Sequence, residues 1–152
     1  MTALEDLYSQ RIIELAANIS RTRRLEHPDA TASAHSKLCG STIAIDLSLD
    51  GERITDYGHT VKACLLGQAS AAIVAEHIVG ATIPEIRAIA RQMQAMLKAG
   101  GPPPAGQWQD LEVLEPIRDF KARHASTLLV FEAIERALVA YEAEHKGASA
   151  SA

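Results

Sequence analysis

The chain has 152 residues, 47% of them hydrophobic and 22% charged, and a formal net charge of −4. That length and apolar content suit one domain with a single core, and the acidic balance argues against nucleic acid as a partner despite the local cluster Arg21, Arg23 and Arg24. No apolar run nears the roughly 20 residues that span a bilayer, and MTALEDLYSQ lacks a signal peptide's basic start and apolar middle, so the two cysteines are expected in the cytoplasm, in metal or redox chemistry rather than a disulfide.

Thr2 and Glu5 have capping-box spacing, and Leu4, Leu7, Tyr8, Ile12, Leu15 and Ile19 share one helical face, which predicts an amphipathic helix over residues 3–19. Residues 20–37 are small, polar and proline-marked, and read as a long loop leading to Cys39. Ile43, Ile45, Leu47 and Leu49 alternate with smaller or polar residues, the period of a half-buried strand. Asp50-Gly51 signals a hairpin turn, Arg53 to Tyr57 returns as a second strand, and His59 to Ala63 makes a third. Beyond Cys64 an alanine-rich helix runs to Gly80, a natural C-terminal cap. Thr82, Pro84 and Glu85 open another, whose buried stripe is Ile86, Ile89, Ala90, Met93, Met96 and Leu97, with the methionines read as core.

GGPPPAG at 100–106 ends that helix as a stiff exposed connector, and a short element around Asp110 to Leu114 precedes Pro116. Thr127, Phe131, Ile134, Leu138 and Tyr141 then mark one face of a last helix. The expected fold is α+β over residues 1–145: a small three-stranded antiparallel sheet, an N-terminal helix, and several C-terminal helices packed on one sheet face. Residues 146–152 are expected to form a flexible tail.

Chemistry concentrates at Cys64, where a β-like run gives way to a helix. Unpaired N–H groups and the positive end of the helix dipole favour a thiolate there, the form that attacks electrophiles and binds metals. Cys39, in SKLCGST, would reach the same end of the sheet through the hairpin. The plainer reading of either cysteine is a small buried hydrophobe.

LCGS at 38–41, ACLLGQASA at 63–71 and FKARHASTLLVFEAIERAL at 120–138 resemble the NifU-like iron–sulfur cluster scaffolds, the IscU and SufU types included, from about Leu4 to Tyr141. GGPPPAGQWQDLEVLEPI resembles the insertion typical of the SufU branch. The resemblance implies three cysteines and an aspartate as ligands, and the chain departs from that set. Cys39 and Cys64 match the first two thiols, and Ser41 replaces the aspartate. A gap-free alignment puts Ser126 at the third cysteine, whereas matching His124 to the histidine beside it in IscU-type members puts Ala125 there.

A serine hydroxyl is a poor substitute for thiolate in a tetrahedral zinc or iron–sulfur site. Cys39 and Cys64 with His124 would make an open Cys2His set, completed by water, a small thiol or a partner protein. Ser41 and Ser126 otherwise read as capping or turn residues, and His35 and His59 as loop and strand polar groups. By resemblance to SufU-type relatives, Arg123 would lower a thiolate's pKa or bind an anionic partner group; alternatively it is a solvated charge.

Three readings stand. The first is a non-enzymatic scaffold or sulfur acceptor, served by a cysteine desulfurase and other iron–sulfur assembly proteins, holding an iron–sulfur cluster, iron or zinc. The second is a degenerate scaffold that binds no metal and acts as an adaptor or regulator in the same pathway. The third is a thiol-dependent transferase with Cys64 as nucleophile and His59 or His124 as base; no oxyanion loop accompanies the cysteine to support it.

Overall fold

The computed structural model describes residues 9–37 and 40–150, with side chains as far as His145. The first described helix, α1, spans Gln10–Ala17 and buries Ile12, Leu15 and Ala16. Ser9 caps it in an extended conformation, its hydroxyl accepting from the Ile12 N–H at 3.4 Å. Of the helix expected over 3–19, the described part runs from the Ser9 cap to Ala17, with Asn18 as its C-cap; Thr2, Leu4, Glu5, Leu7 and Tyr8 lie outside the described residues.

The sheet is three-stranded and antiparallel in the order β1-β2-β3, formed by Ala30–His35, Thr42–Asp50 and Arg53–Lys62. The α+β architecture holds, but two strands differ from expectation. Strand β1 lies inside the segment read as a loop: Ala30, Ala32 and Ala34 point inward while Thr31, Ser33 and His35 point out, a period of two written in alanine. Arg53–Tyr57 and His59–Ala63 merge into the single ten-residue strand β3, because Gly58 does not end a strand. Its missing side chain makes room for the Arg23 backbone carbonyl, which a Cβ there would strike.

That carbonyl belongs to a segment laid over the sheet face away from the helices. Arg21 holds a left-handed φ of 57° and its carbonyl accepts from the His59 N–H at 3.0 Å. Arg24 then grips Asp46, fully buried on β2, through two bonds of 2.7 and 2.9 Å, and Thr31 Oγ1 and the Leu25 N–H donate to the same carboxylate. Arg21 and Arg23 share Asp56 at 3.3 and 3.8 Å, so two aspartates offset most of the charge of the three-arginine cluster.

On the other face Ile43, Ile45, Leu47, Ile54 and Tyr57 meet the helices. Helix α2, Leu65–His77, is buried almost all round, which explains its alanines: small side chains let neighbours approach closely. Helix α3, Ile83–Ala99, starts on the Thr82 cap, buries Met93 and Met96 completely, and ends on Gly100 at φ 70°. Helix α4, His124–Ala150, packs on β1, β2, α2 and α3.

Between α3 and α4, Gly106–Asp119 forms a 14-residue 3₁₀ segment rather than one short element. Trp108, Leu111, Leu114 and Ile117 are all buried and recur every third residue. A 3₁₀ helix eclipses residues three apart, so this period puts all four on one face. Among the described residues no helix is long and apolar enough to cross a membrane.

Candidate functional site

Three chain segments meet at one end of the sheet. The first is the β1–β2 turn, closed by bonds from the Ser36 N–H to the Ser41 carbonyl at 2.8 Å and from the Gly40 N–H to the Ser36 carbonyl at 2.9 Å. Gly40 turns the chain with φ 70°. Cys39, on this turn, lies outside the described residues. The second is the β3–α2 junction: Thr42 pairs with Lys62, which sets Cys64 beside the same sheet end. The third is the first turn of α4, reached through the short 3₁₀ turn Lys121–Arg123.

Cys64 is the N-cap of α2, extended at φ −65° and ψ 171°, partly exposed, and a free thiol. Its Sγ donates to Ser126 Oγ at 3.4 Å, and that hydroxyl donates onward to the Arg123 carbonyl at 3.2 Å. Ser126 is buried, whereas Ala125 is exposed and faces away into a separate groove. Ser126 is thus the residue that meets the Cys64 thiol.

Residues that sequence reasoning passed over hold this contact in place. Gly67 lets α2 pass the start of α4: a Cβ there would lie 2.8 Å from Ala63 Cβ and 3.2 Å from the Ser126 carbonyl. Buried Ser70 donates to the Thr127 carbonyl at 2.8 Å, and Thr127 Oγ1 donates to the Arg123 carbonyl at 2.9 Å. Their sequence signal was the Gly-x-x-Ser spacing on an alanine helix, a mark of close helix approach.

The remaining candidates fall elsewhere. His124 is buried, and its Nε2 faces the carbonyls of Ile117 and Arg118 at 3.1 and 3.2 Å. Carbonyls only accept, so Nε2 carries the hydrogen and the ring's lone pair lies on Nδ1. His59 is buried in the sheet, its Nε2 on the Ser20 carbonyl at 2.8 Å and its Nδ1 3.2 Å from the Tyr57 hydroxyl. Burial holds His59 below its ordinary pKa against the opposing pull of the Ser20 carbonyl, and burial pushes the Tyr57 phenol up. Both His59 nitrogens are engaged there, which removes it as a base for Cys64. Ser41 is buried in the turn, His35 sits exposed at the end of β1, and the Arg123 side chain is exposed while its carbonyl anchors Ser126 and Thr127.

As a metal site, the described donors at Cys64 comprise one thiol and one hydroxyl, short of the four thiolate-rich donors of a closed zinc or cluster site. Among the described residues, no group of three or more His, Cys, Asp or Glu side chains converges on Cys64. Glu76, His77 and Asp110 do converge, at the C-terminal end of α2, but Asp110 there already meets His77 at 3.1 Å and Arg11 at 3.4 Å.

Residues 7–148 match the family described as NifU-like N terminal domain. The chain is 22% identical over 132 residues to the iron–sulfur cluster assembly scaffold protein IscU of Thermotoga maritima, covering 87% of this chain and 92% of that one. It is 23% identical over 139 residues to the zinc-dependent sulfurtransferase SufU of Bacillus subtilis, covering 91% and 94%. Among solved structures, the N-terminal part of a nitrogen-fixing NifU-like protein from Brucella abortus superimposes with a TM-score of 0.91 at 47% identity, covering 93% of this chain and 98% of that one. A SUF-system scaffold protein from Fervidobacterium islandicum shares the fold, with a TM-score of 0.81 at 20% identity and coverage of 88% and 98%.

Proposed function

The chain belongs to the NifU-like N-terminal domain family of iron–sulfur cluster assembly scaffolds, of the IscU and SufU type, and from that premise we propose that it is a cytoplasmic sulfur acceptor whose receiving atom is Cys64 Sγ, a scaffold and not an enzyme acting alone. The observation that carries this reading is the Cys64–Ser126 pair: a partly exposed thiol at a helix N-terminus, with a fixed hydroxyl 3.4 Å away. The donor is the persulfide of a cysteine desulfurase. The Cys64 thiolate attacks the outer sulfur, a new S–S bond forms as the donor's S–S bond breaks, and the donor cysteine leaves as thiolate. The first turn of α2 stabilises negative charge on the sulfur received. The Ser126 hydroxyl, a donor as well as an acceptor, turns its hydrogen toward that sulfur.

Iron, zinc or a nascent cluster is the cargo. Cys39 and Cys64 are the two thiols that hold it, loosely, with the remaining donors coming from a partner or a small thiol. The name of the Bacillus subtilis relative, a zinc-dependent sulfurtransferase, supports sulfur relay as the chain's business.

The test is incubation of the anaerobically purified protein with a cysteine desulfurase and radiolabelled cysteine, followed by protein-bound sulfane sulfur and metal analysis. Label is expected on wild type, to be lost in Cys64→Ala, and to persist in reduced amount in Cys39→Ala. Label unchanged in Cys64→Ala overturns the assignment. A second reading, an adaptor without cargo, is favoured by the hydroxyl that meets Cys64 where the resemblance implies a third thiol. Wild type that takes neither sulfur nor metal, yet still binds the desulfurase, selects it.

A further inference from the structure

On the far side of the first turn of α4 from Cys64, a groove of about 680 Å³ runs between α3 and α4. Its floor is apolar, with Ala90, Leu128 and Phe131, and its rim carries Lys37, Arg91 and Lys98. The other two rim arginines are already matched, Arg87 to Glu135 at 2.9 Å and Arg136 to Glu132 at 2.8 Å. Lys37, Arg91 and Lys98 have no ion-pair or hydrogen-bond partner among the described residues. A chain of net charge −4 thus concentrates unmatched positive charge around one apolar trough.

The walls are two helix faces, residues 87–98 of α3 and 125–136 of α4, each presenting positions three or four apart. At 1.5 Å per residue each wall is about 16 Å long, the length of about three helical turns. An elongated apolar trough with a cationic rim is complementary to an amphipathic helix whose polar edge is acidic.

We propose that this groove docks a short acidic amphipathic helix of a partner protein. Leucine-like side chains of that helix lie on Leu128 and Ala90, and its carboxylates meet Lys37, Arg91 and Lys98. The assignment is independent of the sulfur chemistry. It nevertheless sets the partner beside Ala125, one residue from Ser126, and beside the turn that carries Cys39.

The test is selection of a random peptide display library on the full chain, followed by titration of the selected peptides and mapping of their amide shifts. Expected are peptides with Asp or Glu flanking Leu or Phe, perturbing Ala90, Ala125 and Leu128. Their affinity should fall by about tenfold or more in the exposed pair Arg91→Glu with Lys98→Glu, weaken with added salt, and stay unchanged in Cys64→Ala. Leu128→Glu should abolish binding, with circular dichroism confirming the fold. No enriched peptide, peptides without acidic residues, or affinities indifferent to the charge reversal overturn the proposal. Charge-dependent binding of decanoate without any peptide consensus also overturns it, in favour of a small-anion site.

Discussion

At the scale of single residues, Ser126 is the most informative position. Its hydroxyl occupies the space beside Cys64 Sγ, so Ser126→Cys adds a second thiol within reach of any metal held by the first. Zinc content of the reduced protein is expected to rise from substoichiometric toward about one per chain, and Cys64→Ala in that background to remove it, as atomic absorption would show. His59 gives a pH prediction. Its pKa is lowered in the folded chain, chiefly by burial, while the unfolded chain binds a proton as pH falls through about 6.5. The unfolded state therefore holds more protons just below that point, and stability is lost as pH falls from about 6.5 until native His59 itself protonates. Urea midpoints between pH 7 and pH 5 should fall less steeply in His59→Gln than in wild type. Cys64 was legible because a cysteine before an alanine helix carries a local signal, whereas Ser126 came only from the resemblance to NifU-like scaffolds, which left it and Ala125 as alternatives for the third cysteine. The orientation of His124 was not legible: nothing local says that the carbonyls of Ile117 and Arg118 will take its Nε2.

At the scale of elements, glycines report where segments cross. Gly58→Ala drives a methyl group into the Arg23 carbonyl, which also disturbs the neighbouring Arg24–Asp46 bonds. A loss of about 1–3 kcal/mol is expected by chemical denaturation, in line with overpacking elsewhere. Gly67→Ala acts at the site instead, pressing on Ala63 and the Ser126 carbonyl, and is expected to lower sulfur loading more than its effect on stability explains. Strand β2, the turn after it and helix α3 could be read from apolar periodicity and caps, and α2 from its alanines, although α2 ends at His77 with Ile78 as its cap rather than at Gly80. Strand β1 escaped because alanine, a weak strand former, supplies its inward face. The segment 106–119 escaped because its apolar residues follow a period of three, between the periods that mark strands and α-helices.

For the molecule as a whole, helix α4 is the closing element. It buries Val130, Phe131, Ile134, Ala137, Leu138 and Tyr141 in the common core. Polar ties accompany that burial: Arg136 donates to the Ser33 carbonyl at 3.2 Å, and Tyr141 donates to the Gly51 carbonyl at 2.9 Å. The apolar contribution should dominate. Leu138→Ala is expected to cost about 2–5 kcal/mol, while Arg87→Ala, which removes ion pairs to the exposed Glu135 and Glu142, should cost under about 1 kcal/mol. Differential scanning calorimetry of the two variants separates the contributions; equal losses would mean that the ion pairs seat α4 as strongly as this core side chain does. This helix has a temporal consequence as well. Ribosomes release a chain from its N-terminus, so the sheet and Cys64 are made well before the helix that covers β1 and supplies the Ser126 hydroxyl. Until α4 is translated the thiol lacks both the Ser126 hydroxyl and the helix that closes its surroundings.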